Sequence, residues 1–332
     1  MKTLYTPLVA LVAGVISAVF FVVGLSHSLW GVFLVLCSPL PIYIAGLGWG
    51  SLSAGLAGVF AVMGVMAYGD PLLASIFSVV FMMPAFLLSH LAVQPIGGTE
   101  AEPVRMRVSG LVQALLIIGL VLVAITSLAL ASTQAGLVGT IRSNLSLLAE
   151  TFFGARSSHG PDAVTDVTDL VNFWDSLVLG LILAVVMAVH ATMGALAQGL
   201  VRSGGSPIRN APPFWQFRLP AWPGILAVVL AAVVMGLDTV SGDRTGTNAF
   251  VIYLFTGFVL VLCVGFLLQG LAVLHALTRG MSAQPFILAG AYMVVLVFQP
   301  FGAMAFAAVG FAERWANFRE RFGVDADTAM ED

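Results

Sequence analysis

Charged residues are scarce in this sequence. Only 9% of the 332 residues are Asp, Glu, Lys or Arg, whereas about 25% is typical of a soluble domain. At the same time, 60% of the residues are hydrophobic. A chain of this composition cannot cover its apolar surface with polar side chains, which excludes a water-soluble globular fold.

Cysteine is almost absent as well. Cys37 and Cys263 each stand alone inside an apolar segment, which argues against a disulfide framework or a thiolate metal site. The 13 basic and 16 acidic residues leave a net charge of −3, and no dense cluster of Lys and Arg occurs. The sequence therefore predicts no nucleic-acid partner.

What the chain has instead is long apolar segments. A helix needs roughly 20 apolar residues to cross about 30 Å of hydrocarbon, and these segments lack the alternation of barrel strands. They lie near residues 7–25, 29–48, 50–68, 71–93, 108–131, 176–200, 221–238, 248–277 and 284–311. The sequence predicts an all-α, polytopic transmembrane helix bundle of about 8 to 10 membrane segments within the lipid bilayer. It forms one transmembrane domain over 1–332, with core helices in 7–131 and 176–311.

Arginine in the gaps indicates the orientation. The gaps at 94–107, 201–220 and 278–283 hold Arg, whereas the gap at 132–175 is rich in Asp and Glu. Because cytoplasmic loops carry an excess of Lys and Arg, we expect a multi-pass protein of the bacterial cytoplasmic (inner) membrane. Its N-terminus, which carries Lys2, is expected in the cytoplasm, and 132–175 is expected to be an external insertion.

The segment at 284–311 leaves two interpretations open. A single crossing would place the following Arg residues outside. A break at Gln299-Pro300-Phe301-Gly302 would make a hairpin and return the tail at 312–332 to the cytoplasm. Pro removes a helical hydrogen bond, which favours the hairpin.

The external insertion contains an apolar pattern at helical spacing. The pattern predicts an amphipathic helix that lies at the membrane interface. Its apolar residues are Leu137, Ile141, Leu145, Leu148 and Phe152.

Small residues recur at spacings of four in two places, and such stripes let helices approach closely in lipid. We interpret both as helix-packing residues, although the second stripe could also line a substrate path. The first stripe contains Ala10, Gly14 and Ala18, and the second contains Gly46, Gly50, Ala54 and Gly58.

Polar side chains at membrane depth are the candidate functional residues, because each needs an interior partner. His190, Gln113, Gln269 and Gln299 lie within apolar segments. Each is interpreted either as an interhelical hydrogen-bond residue or as a substrate-path residue. No catalytic, metal-ligating or cofactor-binding signature is present, so the sequence predicts a protein without enzyme activity.

Three features resemble the YybS-like family of bacterial multi-pass membrane proteins of unknown function. They are Pro39-Leu40-Pro41 leading to Gly46-Leu47-Gly48-Trp49-Gly50, the run from Gln269 to His275, and the run from Gly310 to Arg319. That family is distantly similar to the substrate-binding membrane subunits of energy-coupling-factor transporters. The likeness implies a small-molecule ligand, and in those subunits a small-residue stripe on the first helix docks a partner subunit.

Two functions remain as hypotheses. The first is a protein that binds or transports a small molecule, as a transporter substrate-binding subunit does. The alternative is a membrane scaffold or a partner-binding subunit of a larger membrane complex, which would bind another membrane protein or a second copy of this chain.

Overall fold

The structure is a computed structural model, and it describes residues 2–26, 28–98, 103–153, 171, 174–205, 208, 213–241 and 246–322. Residues 154–170 and the terminal residues 323–332 lie outside the described residues. Much of the predicted external insertion and about half of the predicted C-terminal tail therefore fall outside the described part of the chain.

The chain divides into two compact units, and the prediction of one transmembrane domain stays a prediction. The first unit comprises Met1–Ile118 and Val186–Arg218, and the second comprises Gly119–Val185 and Leu219–Asp332. Each unit is described by itself below.

The first unit is built from short and long helices joined by tight turns. In chain order they are α1 (Lys2–Gly24), α2 (Leu29–Cys37), α3 (Leu40–Trp49), α4 (Ser51–Ala67), α5 (Pro71–Phe77), a π-helical segment (Ser78–Met82) and α6 (Met83–Val93). A small antiparallel hairpin of β1 (Pro95–Gly98) and β2 (Pro103–Arg105) follows. The unit also contains the first residues of α7 (Val108–Ala131) and the later part of α9 (Val178–Ser203).

The second unit holds the remaining helices. It contains the end of α7, α8 (Gly136–Phe153) and the start of α9, whereas the 3-10 turn Phe214–Gln216 belongs to the first unit. The later helices are α10 (Trp222–Ser241), α11 (Gly246–Leu277), α12 (Gln284–Val297), α13 (Phe301–Ala316) and α14 (Phe318–Arg321).

The prediction of a polytopic all-α bundle is confirmed. Within the described residues, seven helical stretches are long and apolar enough to cross a membrane. They are Tyr5–Gly24, Trp30–Trp49, Pro71–Val93, Val108–Ala131, Val178–Ser203, Trp222–Thr239 and Gly246–Leu277. Two shorter apolar helices, α4 and α12, add to them. Many large apolar side chains on these helices are exposed, as expected of surfaces that face lipid.

Local chemistry explains where several helices begin and end. Asp70 caps α5, because its Oδ1 accepts hydrogen bonds from the N–H groups of Leu72 and Leu73, and Pro71 occupies the first turn. Gly50 separates α3 from α4 with φ of +97°, a conformation that glycine adopts without a steric penalty. Gly46 and Gly58 consequently belong to two different helices rather than to one continuous face.

The apolar segment at 284–311 is interrupted as the hairpin interpretation requires. α12 ends at Val297 and α13 begins at Phe301. Gly302 lies directly against the backbone of Val294, and a Cβ at this position would overlap the Val294 carbonyl. The break thus brings the two short helices into contact.

The amphipathic helix predicted in the external insertion is α8. Its residues Leu137 and Ile141 are buried in a cluster with Ile252 and Tyr253 of α11. The first two residues of its predicted apolar face, Leu137 and Ile141, therefore pack on the protein. The side chains of Leu148 and Phe152 lie outside the described residues.

Candidate functional site

A buried polar network lies in the first unit, centred on His190 of α9. The side chain is 1% exposed, and both ring nitrogens are within hydrogen-bond distance of oxygen atoms. Nδ1 lies 3.0 Å from the hydroxyl of Tyr43 on α3. Nε2 lies 2.9 Å from the carbonyl oxygen of Val80 in the π-helical segment. One side chain thus links three helical segments.

The Val80 carbonyl is available because of its local sequence. In an α-helix this oxygen would accept the N–H of the residue four positions later, and that residue is Pro84, which has no N–H. The preceding turn is widened, since the Met83 N–H bonds to the Ser78 carbonyl five residues back. His190 therefore donates to Val80 the hydrogen bond that Pro84 cannot donate.

These contacts determine which atoms carry hydrogen. A carbonyl oxygen only accepts, so Nε2 must donate to Val80. In the neutral ring Nδ1 then accepts the hydroxyl hydrogen of Tyr43. Aromatic rings surround the pair: Phe81 lies 6.4 Å from the imidazole centroid, and Phe21 and Phe77 pack on Phe81. His190 and Tyr43 can accept or release a proton, or donate to a polar ligand, only if one of the hydrogen bonds to Tyr43 or Val80 breaks.

The glutamines occupy different surroundings. In the first unit, the Gln113 amide donates to the carbonyl of Ser109 on its own helix, at 3.2 Å. In the second unit, Gln299 is exposed and its amide donates to the carbonyl of Val295, at 2.6 Å. Each of these hydrogen bonds goes to a carbonyl four residues earlier in the chain. The proposed role of these glutamines in a substrate path stays a prediction.

Gln269 of α11 is a buried hydrogen-bond hub in the second unit. Its Oε1 accepts the N–H of Leu219 at 2.7 Å, and its Nε2 donates to the Gly310 carbonyl of α13 at 2.8 Å. The side chain is 5% exposed. Gln269 therefore holds α13 and the segment before α10 against α11.

The small-residue stripes lie at close contacts within the first unit. A Cβ on Gly14 would come within 2.6 Å of the Ala57 carbonyl oxygen on α4, and Ala10 and Ala18 are buried on the same helix. Thus α4 covers the face of α1 that the resemblance implied for a partner subunit.

The second stripe makes contacts of the same kind. Gly46 packs against Ser89 of α6 and against Ala54, and Gly58 packs against Met82 in the π-helical segment. Gly50, in contrast, has open space where a Cβ would be. Its requirement for glycine is conformational, as described above.

A second polar cluster, in the second unit, was not singled out from the sequence. The Arg142 guanidinium of α8 contacts the Asp175 carboxylate at 2.8 and 2.9 Å. Asp175 is fully buried, whereas the Arg142 side chain is 42% exposed. The hydrogen bond to Asp175 raises the pKa of Arg142. Tyr253 lies beside both groups. The position of Asp175, at the start of an apolar segment, was the available signal.

The C-terminal helices contain another buried ion pair. Glu313 and Arg319 are each 2% exposed, and Arg319 Nε lies 2.8 Å from Glu313 Oε1. The second carboxylate oxygen accepts the Phe318 N–H at 2.8 Å. These contacts close the turn at Asn317, which has φ of +46°, and they fold α14 onto the end of α13.

Metal coordination has no support in the part of the chain that the structure describes, where no group of three or more His, Cys, Asp or Glu could hold an ion.

Comparison with known proteins identifies a family for this chain. The family model described as "Predicted membrane protein (DUF2232)" matches residues 15–313. No curated protein and no solved structure matches the chain.

Proposed function

We propose that this chain, which belongs to the DUF2232 family of predicted membrane proteins, binds a small molecule among the helices of its first unit. It would act as a substrate-capturing or transporting protein of the bacterial cytoplasmic membrane, with its N-terminus in the cytoplasm and no catalytic role. The observation that carries the proposal is the hydrogen bond from His190 to the Val80 carbonyl, for which Pro84 supplies no N–H.

The interrupted helices of the first unit support a ligand site there. Interrupted helices are tolerated at membrane depth only where protein or an aqueous cavity surrounds them, and transporters use such breaks to present backbone groups to substrates. The first unit has a break between α2 and α3, another at Gly50 and a π-helical segment. Single π-helical turns also occur frequently at functional sites.

Side-chain chemistry supports it as well. His190 and Tyr43 can each donate or accept, and they meet the irregular backbone at one place. A ligand with one donor and one acceptor could replace the contact between the two rings. The likeness to energy-coupling-factor subunits, which the sequence suggested, would place the protein in the same functional class.

Native mass spectrometry tests the proposal. The protein is purified in a mild detergent, and its spectrum is searched for a bound mass that is neither lipid nor detergent. We expect such a species on the unmodified protein, and we expect its occupancy to fall about tenfold in Tyr43→Phe, which removes one hydrogen bond. Tyr68→Phe is the matched control, because Tyr68 is exposed. A protein that retains no small molecule, and whose thermal unfolding is unaffected by a metabolite panel, would contradict the proposal.

A partner-binding scaffold is the second candidate, and α12 favours it. Within this helix only Ala291 and Val295 are buried, whereas Phe286 and Leu296 are largely exposed. The same spectra discriminate the two functions. A stoichiometric companion chain or a second copy, released when Phe286 and Leu296 are changed to Ala, would support the scaffold.

A further inference from the structure

The hydrogen-bonding pattern at His190 is fixed by Pro84. Because Pro84 has no N–H for the Val80 carbonyl, that oxygen receives the hydrogen of His190 Nε2, 2.9 Å away. Nδ1 is then the acceptor of the neutral ring. The donor that it receives is the Tyr43 hydroxyl, 3.0 Å away. A ligand that enters between Nδ1 and Tyr43 must therefore donate to the ring and accept from the hydroxyl.

Charged side chains in the described part of the first unit lie at the ends of its helices or strands or in the segments that connect them. On α9, Arg202 follows His190 by 12 residues, which is roughly 18 Å of helical rise. Asp70 precedes Val80 by 10 residues, or roughly 15 Å. None lies in the helical turns that carry Tyr43, Val80 and His190. The other described charged residues of this unit are Lys2, Arg105, Arg107 and Arg218.

The surroundings of the two polar side chains are apolar. His190 is 1% exposed and Tyr43 is 2% exposed, and the ring of Phe81 lies 6.4 Å from the imidazole. A Cβ on Gly194, one turn after His190, would lie 3.7 Å from the Tyr43 ring. Burying a charge without a counter-ion in such a place is costly. Aromatic rings, in contrast, pack favourably on a flat apolar group.

We propose that the molecule bound by the first unit is uncharged and carries a primary amide or a lactam. The inference rests on the ligand site proposed above and names its substrate class. In these groups an N–H and the C=O share one edge, so the N–H donates to Nδ1 and the carbonyl accepts from Tyr43. A carboxylate has only acceptors and an ammonium has only donors. Neither matches both atoms, and each would bring an uncompensated charge.

Three probes of the same shape test the substrate class. Benzamide, benzoate and benzylamine share one ring, and at pH 7 they are neutral, anionic and cationic. Isothermal titration calorimetry measures their binding to the full-length protein in mild detergent. We expect benzamide to bind at least about tenfold more tightly than either charged probe. Tyr43→Phe should weaken benzamide about tenfold, because one hydrogen bond is lost.

Two controls locate the binding at His190. Tyr68→Phe, at an exposed position, should leave the benzamide affinity unchanged. The ¹⁵N spectrum of labelled histidine, with the His190 signal identified by its loss in His190→Gln, should show hydrogen on Nε2 both with and without benzamide. Hydrogen on Nδ1 in the neutral ring would overturn the donor pattern deduced from Pro84.

The remaining outcomes separate this inference from the proposed function. A charged probe that binds as tightly as benzamide and depends on Tyr43 would overturn the uncharged class but leave a ligand site in place. A charged molecule retained in the native mass spectrum would do the same. Absence of binding by all three probes also overturns the inference, whereas the proposed function fails only if the native spectrum and the metabolite panel reveal no ligand.

Discussion

Pro84 and His190 together determine how the carbonyl oxygen of Val80 is hydrogen-bonded. Pro84 lacks the N–H that would bond to the Val80 carbonyl, and His190 donates to that carbonyl from α9 at 2.9 Å. The backbone defect on one element therefore requires a polar side chain on another.

His190→Leu should remove this bond and the bond to Tyr43. We expect the free energy of unfolding to fall by about 1–3 kcal/mol, since a buried carbonyl and a buried hydroxyl lose their partner. Equilibrium unfolding in mixed micelles measures the change. In a Pro84→Ala background the new N–H can reach Val80, so the loss should be about 1 kcal/mol smaller. Equal losses in both backgrounds would show that Pro84 and His190 are not coupled.

Gln269 and Gln299 form a matched pair for a second prediction. Gln269→Met leaves the Leu219 N–H and the Gly310 carbonyl without partners, so the free energy of unfolding should fall by about 2–3 kcal/mol. Gln299→Met should change it by less than about 0.5 kcal/mol, because that side chain is exposed. The same unfolding assay compares the two variants. Similar changes in the free energy of unfolding at both positions would contradict the role of Gln269 as a buried hydrogen-bond hub.

The contact between α11 and α13 predicts a steric effect. A Cβ on Gly310 would overlap the Phe266 carbonyl and lie 2.6 Å from the Gly270 nitrogen. Gly310→Ala should therefore separate the helices and destabilise the protein by about 2–3 kcal/mol. Gly290→Ala is the control on α12, where a Cβ has open space, and it should be neutral or stabilising by up to about 1 kcal/mol.

The buried Glu313–Arg319 pair gives a fourth prediction. Arg319→Met leaves the Glu313 carboxylate buried without its main partner, which should destabilise the C-terminal turn by roughly 3 kcal/mol. Limited proteolysis should then cut after Arg321 or Arg314 sooner than in the unmodified protein. Arg314→Met, at an exposed position, should leave cleavage at Arg321 unchanged, and faster cleavage in this control would weaken the assignment.

Helix positions were largely predictable from the sequence, because the hydropathy of a segment and the residues that start or stop a helix depend only on neighbouring positions in the chain. The segment at 108–131 has the same bounds as α7, and the signals at Asp70-Pro71 and Gln299-Pro300 mark real helix boundaries. Apolar periodicity likewise located α8.

The pairing of polar groups was not predictable in the same way. Tyr43 and His190 are 147 residues apart, and no local pattern connects them. Arg142 and Asp175 looked like ordinary charges of an external loop, and only packing reveals that Asp175 is buried. The sequence shows which carbonyl loses its helical N–H partner to a proline. The side chain that donates a hydrogen bond to that carbonyl is determined by the tertiary fold.

The 14 residues of α12 rise roughly 21 Å, whereas the hydrocarbon layer is about 30 Å thick. If α12 crosses the membrane, acyl chains beside it must shorten or tilt to meet it, and the bilayer is expected to be thinned on that flank. Membranes with longer or more saturated lipids would strain there first. The thickness of the host bilayer thereby becomes a determinant of how stably this part of the protein is held.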